Sequence, residues 1–144
     1  MQTSSRRQRG FTLIEVMVVV VILGILAAVV VPRVMDNPDK ARIVKARSDV
    51  QALKSALDLY KLDNFNYPRT EQGMQALVEK PAGSPEAKNW KQGGYVDTLP
   101  TDPWGNPYQY LSPGVHAEVD IYSLGADGRT GGEGVNADIG NWDK

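Results

Sequence analysis

The chain has 144 residues, a formal net charge of -1 and no cysteine. That length holds one modest domain plus an anchor, because an independent core needs on the order of 100 residues, so a second catalytic domain has no room. Balanced charge excludes the basic face of a nucleic-acid binder. The lack of thiols excludes disulfides, thiolate metal sites and a cysteine nucleophile.

Residues 11–31 read FTLIEVMVVVVILGILAAVVV, about 21 residues that at a rise of ~1.5 Å span the roughly 30 Å hydrocarbon core of a bilayer. Val and Ile dominate, as they do in strands, but a lone strand in lipid leaves its amides unpaired, so the segment is predicted to be helical. Arg6, Arg7 and Arg9 precede it. The positive-inside rule therefore keeps the amino end in the cytoplasm and sends the carboxyl end across. A signal anchor, a cleaved secretory signal and a twin-arginine signal built on Ser5-Arg6-Arg7 each explain part of this pattern. The apolar run exceeds a secretory h-region and passes Ala27-Ala28 without a polar exit, and Arg9-Gly10 stands where a twin-arginine signal needs an apolar residue.

Glu15 sits just inside this apolar span. A charge at the bilayer centre costs roughly 2.5 to 3.5 kcal/mol on insertion scales, a cost offset by snorkelling, by protonation or, as the commoner solution for a short side chain, by a partner cation. Cutting between Gly10 and Phe11 creates one, the new amine of Phe11. Within one helix that amine lies a turn from Glu15, and between helices offset along their axes the two groups meet directly.

The run Arg9-Gly10-Phe11-Thr12-Leu13-Ile14-Glu15 resembles the class III leader and processing motif of type IV pilins and pseudopilins. The resemblance implies that a prepilin peptidase cuts after Gly10 on the cytoplasmic side and methylates Phe11. It also implies that the apolar segment stays attached and that Glu15 pairs with a neighbour's amine during assembly. A membrane-anchored filament subunit is thus expected, in preference to a plain signal anchor.

Beyond Pro32, the residues Ile43, Ala46, Val50, Leu53, Leu57 and Tyr60 recur at spacings of three and four, which predicts an amphipathic helix with one buried stripe. Lys40, Arg42, Lys45, Arg47, Asp49, Lys54 and Asp58 form its solvated surface. Pro32 and Pro38 each remove a helical hydrogen bond, which predicts a kink or a melted turn there. A helix continuous from Phe11 to Asp63 is ~80 Å long. Tyr67-Pro68 ends the pattern, and Thr70 is the expected N-cap of a short helix through Gln75 to Val78. Between Pro81 and Pro107, a loop rich in Gly, Pro and Asn carries Trp90, Tyr95, Leu99 and Trp104, expected to pack onto the helix. Residues 108–111 and 119–124, flanking Ser112-Pro113-Gly114, read as an antiparallel hairpin.

Over nearly the whole chain the resemblance narrows to the major pseudopilins of bacterial type II secretion systems. Its carriers are Leu59 to Asn64, Tyr67-Pro68, Glu71-Gln72-Gly73, Leu99-Pro100, Asp102-Pro103-Trp104-Gly105-Asn106 and Asp138-Ile139-Gly140-Asn141-Trp142. It implies an α+β, type IV pilin-like fold, in which a long amino-terminal helix packs on a small carboxyl-terminal domain with a short antiparallel sheet and a calcium-binding loop. The implied organisation is a cleaved leader (1–10), a transmembrane half-helix (11–31), an amphipathic half-helix (32–63) and a periplasmic domain (64–144). The implied function is polymerisation into a periplasmic pseudopilus that helps drive folded proteins across the outer membrane. The implied partners are minor pseudopilins, a prepilin peptidase, the inner-membrane assembly platform and its ATPase. The implied location is the bacterial inner membrane, in a single pass, with the amino terminus cytoplasmic and the carboxyl-terminal domain periplasmic.

From Leu124 to Asp138 the chain is glycine-rich with several oxygen donors. By composition it reads as a mobile polar loop, although hard cations take such oxygens from carboxylates, amides and carbonyls. The spacing is not that of an EF-hand. The resemblance implies a calcium ion held by the side chains of Asp127 and Asp138 and the carbonyls of Leu124 and Val135, with Asn136 as a further ligand. An acidic residue at the position of Ala137 would add a donor, and alanine adds none.

Two other readings compete. For a tethered hydrolase or binding protein the candidates are His116, scattered serines and the acidic loop, but GxSxG, HExxH and GxxxxGK[ST] are all absent, so an enzyme is not expected and the energy for assembly must come from another protein. His116 beside Gly114 reads as a surface residue. A type IV pilin or minor pseudopilin is disfavoured by the missing cysteines, the retained Glu15 and the ending of the calcium loop.

Overall fold

The computed structural model describes residues 10–144, and of residues 30–37 the backbone alone. The leader arginines Arg6, Arg7 and Arg9 lie outside the described residues. The chain divides into two units, 1–38 and 39–144.

The first unit is the start of a single α-helix, α1, Leu13–Asn64. Its side chains from Leu13 to Val29 are exposed, Val18 at 51%. Among the described residues nothing covers these apolar side chains, which water does not favour. Among the described residues no helix is long and apolar enough to cross a membrane. The run in the sequence continues through Val30 and Val31, whose side chains are not described.

The helical assignment passes through Pro32 and Pro38 without interruption, so no melted turn forms there. Each proline removes one hydrogen bond, but a helix already nucleated on both sides retains the rest of its ladder. α1 ends where Phe65 adopts a left-handed backbone (φ 69°) and donates its N–H to the Lys61 carbonyl at 2.6 Å. This geometry ordinarily favours Gly or Asn.

In the second unit, α1 buries the predicted stripe. Ala46, Val50, Leu53, Leu57 and Tyr60 are buried, joined by Ala56, while Ile43 is half-buried at the edge. Val50, Leu53, Ala56, Leu57 and Tyr60 share one core with Met74, Ala76, Leu77, Ala87, Tyr108, Val119 and Ile121, the last two from the segment entering and forming the central strand. At ~25 cal/mol per Å² of buried apolar surface, this contact is the domain's main source of stability. Tyr67, Trp90, Tyr95, Leu99 and Tyr110 pack around it. Tyr95 lies 5.4 Å from the Tyr60 ring and 6.3 Å from that of Trp90. Trp90 donates its indole N–H to the Ala76 carbonyl at 2.8 Å. Tyr95 donates its hydroxyl to Asp63 Oδ2 at 2.9 Å. These polar handles let bulky rings sit in a domain too small to enclose them fully. Trp104 is not in this cluster; its amide instead closes a turn on Asp102.

The short helix is a 3-10 helix, Met74–Leu77, preceded by Gly73 rather than capped by Thr70. Thr70 is recruited elsewhere: its hydroxyl accepts from the Ser112 amide at 2.8 Å and donates to the Ser112 carbonyl at 3.1 Å. A long-range partner has displaced the local cap.

The sheet is three-stranded and antiparallel in the order β1-β2-β3, with β1 at Gln109–Leu111, β2 at Asp120–Ser123 and β3 at Ile139–Gly140. Tyr110 pairs with Ile121, and Ser123 with Ile139. The predicted hairpin is β1 and β2. β3, which carries no periodicity in two residues, brings both ends of the 124–138 loop together.

Candidate functional site

Two regions carry the predicted chemistry, one at each end of the chain. At the amino end, Gly10 and Phe11 precede regular structure, and Phe11 is 85% exposed. The peptide bond between them is therefore outside the helical ladder, as a protease substrate requires. Helix α1 is opened by a reciprocal cap: the Glu15 amide donates to Thr12 Oγ1 at 3.3 Å, and the Thr12 amide donates to Glu15 Oε2 at 3.5 Å. Thr-x-x-Glu is the sequence signature of this capping box, which satisfies two orphan amides. It was legible in Thr12-Leu13-Ile14-Glu15 beside the charge argument. The carboxylate also lies at the positive end of the helix dipole. Glu15 thus has a cis partner in the isolated chain, and at 3.5 Å the contact is long enough to yield to a stronger one.

At the carboxyl end, the loop is pinched by two close backbone approaches. Gly125 and Gly132 are left-handed (φ 70° and 95°), and a Cβ would fall 2.9 and 2.5 Å from the Asn136 carbonyl oxygen. Only glycine permits this packing. The Ala126 amide donates to the Val135 carbonyl at 2.8 Å, tying the two sides together. Asp138 is held by the Gly131 amide on Oδ2 at 3.0 Å, while its Oδ1 is buried without a partner. Asp127 is exposed, and its Oδ1 accepts from the Arg129 amide at 3.0 Å. Leu124 is half-buried, directly before Gly125.

These residues fit a hard cation. The donors are all oxygens, the Asn136 carbonyl faces the glycine pinch, and an orphaned buried carboxylate oxygen is the kind of group an ion satisfies. Among the described residues no three His, Cys, Asp or Glu side chains cluster for metal binding, so an ion here would rely chiefly on carbonyls and on Asp138.

His116 is exposed, as the sequence suggested, but it is not without partners. Its ring is stacked on Trp142 at 4.0 Å and 18°, with Nδ1 3.1 Å from Asp120 Oδ2. The buried Asp120 carboxylate also accepts from the amides of Val115, His116 and Ala117 at 2.7 to 3.2 Å. Burial alone would raise its pKa, but these donors outweigh it and hold the group below the usual carboxylate value. A carboxylate so occupied organises a turn and has no lone pair spare for general-base work.

Beside α1, Lys54 bridges to Asp58, Lys61 to Glu118, and Tyr67 donates its hydroxyl to Asp58 at 2.6 Å under both lysines. Burial works against the charged form of Asp58, yet the Lys54 and Tyr67 hydrogen bonds leave its pKa lowered.

A helix with an exposed apolar front and a small sheet packed on its rear half defines the class of pilin-like subunits. Residues 33–142 match the family described as type II secretion system (T2SS), protein G, and residues 5–31 match the prokaryotic N-terminal methylation motif. The chain is 64% identical over 138 residues to the type II secretion system core protein G of Pseudomonas aeruginosa, covering 96% of this chain and 97% of the relative. It is 61% identical to the Vibrio cholerae core protein G, covering 95% and 93%. The crystal structure of the major pseudopilin from the type 2 secretion system of enterohaemorrhagic Escherichia coli superposes with a TM-score of 0.67 at 53% identity, covering 75% of this chain and 92% of that one.

The chain belongs to the type II secretion system protein G family, the major pseudopilins. Membership makes it a structural component of a secretion system, membrane-anchored and facing the periplasm.

Proposed function

We propose that the chain is cut between Gly10 and Phe11 by a prepilin peptidase, methylated on Phe11, and polymerised into the periplasmic pseudopilus that helps drive folded proteins across the outer membrane. The observation that carries this reading is the coincidence on one chain of the methylation motif, with Glu15 inside its apolar run, and the protein G domain. Residues 11–31 hold the subunit in the bacterial inner membrane in a single pass, amino end cytoplasmic. Glu15 leaves its capping contact with Thr12 for the Phe11 amine of an adjacent subunit. Minor pseudopilins, an assembly platform and its ATPase are the partners; nucleic acid is not. The subunit itself is not an enzyme.

The carboxyl-terminal loop takes calcium, which would be held by Asp138, Asp127 and the carbonyls of Leu124 and Val135, with Asn136 contributing. The ion supplies positive charge that organises a glycine-rich backbone. The chain's own contribution is the pinch at Gly125 and Gly132 and the unpartnered Asp138 oxygen.

Intact-mass measurement of membrane-extracted protein tests the processing: it should show loss of residues 1–10 and gain of one methyl group. Functional material that retains its arginine-rich head overturns the proposal.

A further inference from the structure

Ser123 and Asp102 are both buried, Ser123 completely and Asp102 to 3% exposure, in a domain where most charged groups reach water. No cation pairs with Asp102 among the described residues. Its Oδ1 accepts from the amides of Trp104 at 3.1 Å and Asn106 at 2.8 Å, and its Oδ2 accepts the Ser123 hydroxyl at 2.7 Å. Because the serine proton is given to Asp102, Ser123 Oγ is left as an acceptor, and the Gly125 amide donates to it at 3.1 Å.

The Gly125 N–H and the Leu124 C=O belong to one peptide group, which is planar and trans, so they point in opposite directions. Fixing the N–H on Ser123 fixes the Leu124 carbonyl facing away from Ser123. The left-handed Gly125 then lies against the Asn136 and Ala137 backbone across the loop.

We infer that Asp102 is a positioning residue for the calcium loop: through Ser123 it locks the Leu124–Gly125 peptide so that the Leu124 carbonyl is presented before the ion arrives. This rests on the calcium reading above. It gives the buried pair a role that neither core packing nor the strand ladder requires, and it links the Asp102-to-Asn106 turn to the loop. Partners of this outer kind typically contribute about 10- to 100-fold to metal affinity.

The test uses the full chain in detergent micelles and follows trypsin cleavage at the exposed Arg129 inside the loop, across a calcium titration. Half-protection in Ser123→Ala should need roughly 10 to 100 times more calcium than in the unaltered chain. Asp102→Asn, nearly isosteric, should shift the same midpoint in the same direction and decides the matter if Ser123→Ala does not fold. Melting in EDTA is recorded alongside, because a purely structural role lowers it without moving the calcium midpoint. An unmoved midpoint in a folded variant overturns the inference. Cleavage of the unaltered chain that ignores calcium removes the calcium reading and this inference with it.

Discussion

Val18 and Val50 are the same residue on the same helix, yet Val18 is 51% exposed and Val50 2%. The rear of α1 has a domain folded onto it, whereas the described side chains of the front from Leu13 to Val29 are exposed. Apolar character alone therefore does not say what a residue is packed against. The front half is built for a medium that the isolated chain does not contain, and its single carboxylate marks where that medium must be breached.

Altering Glu15 should have the largest consequence. Glu15→Ala should reduce pseudopilus filaments in a sheared membrane fraction to background while mass analysis still finds cleavage after Gly10. Normal filaments would mean that the carboxylate only caps its helix. Next in size, Leu57→Ala should cost about 2 to 5 kcal/mol in urea unfolding followed by tryptophan fluorescence. Val18→Ala should change the same transition by less than about 0.5 kcal/mol. Equal losses would show that the two halves share one core.

Calcium at about 100 times its dissociation constant should add roughly 2.7 kcal/mol to domain stability, and chelation should remove it. Identical melting with and without the ion would leave the loop as polar backbone. Asp120→Asn should cost about 1 to 3 kcal/mol near neutrality by weakening the bonds that the Val115, His116 and Ala117 amides give to the buried side chain. Its folded pKa is depressed below the ordinary 3.8, so its contribution is complete above that value and drains away as the pH falls through the folded pKa. The gap between variant and unaltered chain should therefore close in acid, and a gap that persists at low pH would assign the loss to packing.

Much of this was legible in the sequence because single physical constraints dominate. An apolar run has one outcome in lipid, and the three-four spacing from Ala46 to Tyr60 has one buried face. The hairpin was readable from two apolar runs about a turn. Hidden elements were those decided by distant partners. Thr70 abandons a local cap for Ser112, forty-two residues on. β3 is two residues long and exists because β2 offers an edge. His116 gains its role from Trp142, which no local pattern links to it. At the amino end the capping box stood in plain view, but the buried acid invites a question about charge and hides one about amides. In the loop, the glycine content was legible, while the particular glycines that meet Asn136 were not.

β3 is formed by residues 139–140 of a 144-residue chain. β3 pairs with one edge of β2 and carries the far end of the loop, so the sheet and the loop close only when this strand is in place. Loss of β3 would leave β2 with a bare edge, open to pairing with other chains. At two residues, β3 covers β2 with an edge too short to template another chain.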